Sequence, residues 1–214
     1  MLLVEFVSNG LVMLPNQGGF LNGSAFLLSG FKFAMSRTRK SKRFKERDDY
    51  VLYTFTGDDI ALAHERSCAM GILPSSYTHG HGRITGCLGE IAVNHFLPRS
   101  RYVGDEVFTH DITFRKHKVE VKSKICSGCP KNTFSAFLNG KKDIEYDHDV
   151  VVFTRVRRDL VFAYIVGWLP TPTFFDEATF YNKGDTDATG FSFMSSGYQI
   201  PISELNHPRD LKSI

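Results

Sequence analysis

Cysteine is sparse in this chain: four in 214 residues, at Cys68, Cys87, Cys126 and Cys129. That is far below the density of a disulfide-stapled scaffold, and a reducing, cytoplasmic compartment is the expectation. CSGCP, with Cys126 and Cys129, is half of a zinc site, for which Cys68, Cys87, His79 or His81 would have to supply the remainder. Without a second Cys-x-x-Cys, structural Zn²⁺ at Cys126 and Cys129 is not expected. Long apolar runs are missing too. The opening stretch has Glu5 near its start and no basic residues ahead of it, and Asn9, Asn16, Gln17 and Asn22 interrupt it well short of a membrane span, so neither a signal nor an anchor is expected. No internal repeat appears, which excludes a solenoid or propeller.

What is present is enough apolar material for one domain with a core plus an appendage: 42% hydrophobic residues, 23% charged and 19 Phe. The formal net charge is +3 and unevenly spread. Arg37, Arg39, Lys40, Lys42, Arg43, Lys45 and Arg47 set seven positive charges against the single acid Glu46, a local +6 that leaves a net −3 on the rest. Such a block reads as an arm able to lie on phosphates, or as a solvated linker. Met35 stands directly before it, consistent with residues 1–34 being an upstream extension. The organisation expected is an N-terminal extension with its basic arm (1–50, arm 37–47) followed by a domain over 51–214.

Periodicity supplies the elements. Residues 57–71 read as a helix, with Asp58 or Asp59 near its N-cap and Gly71 as its stop. Ile84, Cys87, Leu88, Ile91 and His95 recur at helical spacing until Pro98. The period then changes to two. Val107, Thr109, Asp111 and Thr113 alternate with Phe108, His110, Ile112 and Phe114; after Arg115, Lys116 and His117, the residues Lys118, Glu120, Lys122 and Lys124 share one face. This is a hairpin with one apolar and one charged side. TFSAFLNG reads as a short helix, DVVVFTRV and LVFAYIVGWL as paired buried strands, and YQIPISEL as an edge strand because Pro201 cannot donate to a ladder. Residues 170–197 show no period. The order predicts an α/β (mixed α+β) fold, a mixed sheet with helices packed on it.

The chemistry concentrates in the hairpin. If Arg115 and Lys116 form a two-residue turn, Asp111 falls opposite Glu120; a four-residue loop from Arg115 to Lys118 would shift that register. Opposed carboxylates sit roughly 5 Å apart at Cβ and destabilise a sheet unless something compensates. Two carboxylates, waters and a phosphate form the oxygen-only environment Mg²⁺ takes, and Lys122 is positioned to reach the same volume.

Asp111, then Glu120-Val121-Lys122 after a short turn, with GCLGEIAV on the preceding helix and DVVVFTRV following, resembles the PD-(D/E)XK nuclease superfamily over residues 86–156. The resemblance implies a restriction-endonuclease-like central mixed sheet flanked by helices. It further implies a metal held by Asp111, Glu120, the Val121 backbone carbonyl and Glu90, and catalysis by Glu90, Asp111, Glu120 and Lys122, with Lys122 orienting or activating the attacking water. His110 stands where the family often has proline. The cofactor implied is Mg²⁺, with Mn²⁺ able to substitute, and the activity phosphodiester hydrolysis.

The partner expected is nucleic acid, DNA favoured over RNA, bound through Arg37, Arg39, Lys40, Lys42, Arg43, Lys45, Arg47 and Lys124. No membrane partner is expected, and a homodimer stays open. The rival reading is a non-catalytic nucleic-acid-binding or assembly protein on the same fold. His110 and His117 are expected beside the site, not as ligands.

Overall fold

The computed structural model describes residues 6–7, 10–11, 43–69, 82–103, 109–142 and 145–214. The chain divides into two units, Met1–Thr38 and Arg39–Ile214. In the first, β1 (Phe6–Val7) and β2 (Gly10–Leu11) pair antiparallel. Of the basic run, Arg37, Arg39, Lys40 and Lys42 lie outside the described residues, as do the helix stop Gly71, the candidate ligands His79 and His81, and the strand positions Val107 and Phe108.

The second unit is mixed α+β. Its elements run β3 (Phe44–Glu46), β4 (Val51–Thr54), α1 (Gly57–Ala69), α2 (Arg83–Phe96), β5 (Arg101–Tyr102), β6 (Ile112–Phe114), β7 (His117–Cys126), β8 (Ser135–Asn139), β9 (Val150–Arg157), β10 (Phe162–Pro170), α3 (Thr171–Glu177), β11 (Thr179–Tyr181) and β12 (Gly197–Pro201). Seven strands form one sheet in the order β3-β4-β10-β9-β7-β6-β5, and β11-β12-β8 form a second. Among the described strands of this unit, β7 and β9 alone pair in parallel, and the other neighbouring pairs are antiparallel.

The sheet begins before residue 51. Phe44 packs its ring against Tyr53 at 4.9 Å and Phe96 at 5.5 Å, and this apolar anchor turns the end of the basic run into an edge strand. Three further expectations change. Ser135–Asn139 is a strand, buried at Ala136 and Leu138 in the alternation of a strand. β12 is the central strand of its sheet, not an edge, and Pro201 is tolerated because it is the last residue before a 3₁₀ turn. Within the aperiodic region, α3 starts with Pro172 in its first turn, where a missing N–H costs nothing.

The α1 cap is Thr56, with Asp58 and Asp59 in the first turn beside it, near the N-cap as expected. Thr56 Oγ1 accepts from the Asp59 N–H at 3.2 Å while Asp59 Oδ2 accepts from the Thr56 N–H at 2.8 Å, a reciprocal capping box. Asp59 also accepts from the Tyr53 hydroxyl at 2.9 Å and meets His95 Nε2 at 3.2 Å, which ties α1 to β4 and α2.

Every residue of β9 but the last is buried, so successive residues feed two cores. Val150 and Val152 join Val93 and Phe96 of α2 with Val119 and Val121 of β7. Val151 and Phe153 join Ala136, Leu138, Phe174 and Ile200 on the opposite face. Helices α1 and α2 thus cover one side, and α3 with the small sheet covers the other.

Candidate functional site

The β6–β7 turn has the short form: Ile112, Thr113 and Phe114 pair with Val119, Lys118 and His117, which leaves Arg115 and Lys116 as the turn. Arg115 takes φ 55°, and its guanidinium donates to the Lys212 and Ile214 carbonyls, which hold that strained residue in place. Pairing then stops one residue short of Asp111. The Asp111 N–H donates to the Val119 carbonyl at 3.1 Å, and its Oδ2 accepts the Val121 N–H at 2.7 Å in place of a strand carbonyl. From there β7 continues to Cys126 with β9 on one edge and, among the described residues, no strand on the other. The site lies in this gap.

An extended residue sends its N–H and C=O to the same edge. The Val121 carbonyl therefore faces the Asp111 side. Glu120 and Lys122 share the sheet face of Val151 and Phe153, their parallel partners, and the Lys122 ammonium lies on Glu120 Oε1. From the other face comes Glu90, placed by the close approach of α2. A Cβ on Gly89 would stand 1.9 Å from Ser123 Oγ and 2.5 Å from Thr154 Oγ1, so only glycine lets the helix rest on the 2.8 Å Ser123–Thr154 hydrogen bond. Glu90 Oε2 is buried with no hydrogen-bond partner, the one such side-chain atom among the described residues.

The charges are strongly interdependent. Burial, then the charge of Asp111, holds the Glu90 carboxyl well above the usual carboxylate range, against the pull of Arg66. Burial, then Glu120, does the same to Asp111, against Lys122 and the Val121 N–H. Burial pushes the Lys122 ammonium down, but Glu120, Asp111 and Glu90 outweigh it and its pKa ends raised. Lys122 is thus a cation at neutral pH, suited to steady an anion rather than to take a proton.

The four residues singled out in the sequence, Glu90, Asp111, Glu120 and Lys122, therefore act on one another in one place. Lys124 continues the same strand face, exposed, two residues beyond Lys122. Of the described basic run, the guanidinium of Arg43 reaches the Tyr53 hydroxyl at 3.5 Å and Asp59 at 4.0 Å, Lys45 is exposed on the edge strand, and the Arg47 carbonyl accepts from Arg209. His110 is held between Thr109 Oγ1 at 2.9 Å and Thr113 Oγ1 at 3.1 Å, both ring nitrogens engaged. Cys126 is buried and Cys129 exposed, with the Cys129 thiol 3.0 Å from the Tyr50 hydroxyl. Among the described residues no three His, Cys, Asp or Glu side chains are gathered as a ready metal cage.

Two neighbours escaped the sequence reading. His148 precedes β9, with Nδ1 2.7 Å from Thr171 Oγ1; burial lowers its pKa, Glu120 raises it and Lys122 lowers it. Its signal was a histidine between two aspartates, DHD, directly before the buried strand. Arg66 of α1 stacks on Tyr102 at 3.6 Å and acts on Glu90; nothing in its local sequence marks it. No protein-family model matches the chain, and no curated protein matches it.

Proposed function

We propose that this protein is a metal-dependent nuclease of the PD-(D/E)XK type, with a restriction-endonuclease-like fold, hydrolysing phosphodiester bonds most readily in DNA. The observation that carries the reading is the buried, orphaned Oε2 of Glu90, on a carboxyl that burial and the charge of Asp111 disfavour as an anion, while burial and Glu120 do the same to Asp111. A buried acid cluster of this kind is costly alone and is relieved by a cation. The donor set, carboxylate oxygens with the Val121 carbonyl on the same edge, suits a hard divalent ion such as Mg²⁺ or Mn²⁺. Asp111, Glu120, the Val121 carbonyl and Glu90 would hold it. When bound, such an ion supplies charge to the phosphate and acidifies a water.

The chain's own residues do the remainder. Lys122, a lasting cation anchored on Glu120, stabilises the charge that develops on the phosphoryl oxygens and orients the nucleophile. The Val121 N–H fixes Asp111 in one rotamer, so its free oxygen is aimed before substrate arrives. Support for the fold comes from the order of parts: a helix carrying Glu90, then an antiparallel hairpin carrying Asp111, Glu120 and Lys122, then a buried strand in parallel register.

The test is incubation of the purified protein with single-stranded, double-stranded and branched DNA and RNA, with Mg²⁺ or EDTA. Cleavage in Mg²⁺ alone is expected. Undiminished cleavage in EDTA would remove the metal, and binding without cleavage of any substrate would leave a non-catalytic nucleic-acid-binding protein.

A further inference from the structure

Lys124 of β7 sits beside Arg155 of β9 in the parallel register, on the face that carries Lys122. Arg155 is only 7% exposed, and its guanidinium donates to the Ser135 carbonyl. Among the described residues, neither cation has a carboxylate partner. Like charges side by side in a sheet are unfavourable, so this pair awaits an anion.

Aromatic rings flank it. The Arg155 guanidinium lies 5.7 Å from the Phe134 ring centroid, and the Lys124 ammonium 5.6 Å from that of Phe191. Phe191 packs edge-on against Phe193 at 5.4 Å, and Phe193 stacks on Tyr181 at 4.1 Å, which gives the outermost ring a rigid base. Phe134 is 37% exposed, Phe191 49% and nearby in sequence Met194 57%. Exposed aromatics alone need no explanation; two of them over an uncompensated pair of cations, two residues along the strand from Lys122, do.

We propose that Phe134, Phe191, Lys124 and Arg155 form a platform for a single-stranded polynucleotide, bases stacking on the exposed rings and phosphates meeting the exposed Lys124 while buried Arg155 supports Phe134 and adds its charge from beneath, which delivers the strand to Lys122. This rests on the nuclease reading and narrows its substrate class. Unpaired bases offer both faces to a ring, whereas those of a duplex are already stacked on one another. Lys124, exposed and backed by the charge of Arg155, answers the phosphates, for which the carboxylates Glu90, Asp111 and Glu120 cannot be the anchor.

Fluorescence anisotropy in EDTA, where the proposed turnover is arrested, tests the platform with labelled single-stranded DNA, single-stranded RNA and duplex DNA of equal length. The full chain should bind at least one single strand more tightly than duplex. Phe134→Ser and Phe191→Ser should each weaken that binding about tenfold and leave duplex affinity within about twofold. An abasic strand should bind the parent about as weakly as the intact strand binds the variants. Lys124→Gln should flatten the dependence of log K on log salt by roughly 0.7 units on single strands. Equal affinity for duplex and single strand, unchanged binding by both Phe variants, or equally tight binding of polyglutamate would each overturn the platform. The outcomes separate from those of the nuclease reading. Single-strand binding with no cleavage in Mg²⁺ would sink the nuclease and keep the platform; duplex cleavage without single-strand preference would sink the platform alone.

Discussion

Lys122 and Glu120 meet directly, the proposed function gives them different work, and single substitutions should separate binding from turnover. Glu120→Gln and Lys122→Ala should each lower cleavage by at least about 10²-fold, the usual cost of losing a group that acts on developing charge. Folding and most nucleic-acid affinity should persist, because affinity is spread over many phosphate contacts. Circular dichroism, anisotropy and a cleavage assay on each variant decide it; a Glu120→Gln protein that cuts as fast as its parent removes the site. Asp111 offers a test without substrate. Its carboxyl is raised from an ordinary 3.8, so protonation favours the folded state; the stability this contributes is present in acid and is lost as pH rises through the folded-state pKa. In EDTA, the parent's melting temperature should therefore fall between about pH 4 and pH 7 more steeply than that of Asp111→Asn. The variant should gain on the order of 1–2 kcal/mol at pH 8, about 2–8 °C. Mg²⁺ should stabilise the parent more than the variant.

The element that sets the site's precision is α2, because Gly89 lets it lie against β7 and β9. Gly89→Ala drives a methyl into Ser123 and Thr154, and overpacking of this kind costs about 1–3 kcal/mol. Melting temperature should drop, and cleavage with it, since Glu90 is the next residue. Adding Ser123→Gly should recover part of both; no recovery would place the cost elsewhere. Elements also mark where sequence is readable. The alternation of Lys118, Glu120, Lys122 and the β-branched run of β9 announced two strands and a shared charged face, because local period and burial coincide there, whereas the length of the turn was settled only by the register. Ser135–Asn139 misled because its partner, β12, lies about 60 residues downstream, and strand identity there comes from a ladder no local window contains. The same holds for the site. Glu120 and Lys122 were legible from a three-residue unit, whereas Arg66 and His148 reach it only through packing of α1 and the segment before β9.

At the scale of the whole molecule, charge and the proposed metal set the behaviour to be expected in solution. The proposed site calls for Mg²⁺ or Mn²⁺, and Ca²⁺ should bind without supporting turnover, because its looser coordination positions the nucleophile poorly. Titration with Ca²⁺ should protect the fold thermally while inhibiting the Mg²⁺ reaction. The basic run is partly structural, since Arg43 reaches Tyr53 and Asp59. Neutralising Arg39, Lys40 and Lys42 should flatten log K against log salt by roughly 3 units on duplex DNA if the arm tracks phosphates; an unchanged slope makes it a linker.

The parallel ladder has a consequence in time. Each β7–β9 pair joins residues 31 apart, while β9 and β10 close at Val156 and Ala163. Chain closure over the longer span is entropically slower to be repaid, so the β9–β10 hairpin should assemble first and β7 dock onto it afterwards. Substitutions in the β9–β10 turn should then slow refolding from denaturant, whereas conservative truncations along the outer half of β7, such as Ile125→Val, should act mainly by hastening unfolding. During synthesis the β6–β7 hairpin that carries Asp111 and Glu120 would lack the strand it docks on until Val150–Arg157 has left the ribosome, so the nascent chain would pass through most of its length with that hairpin still unsupported.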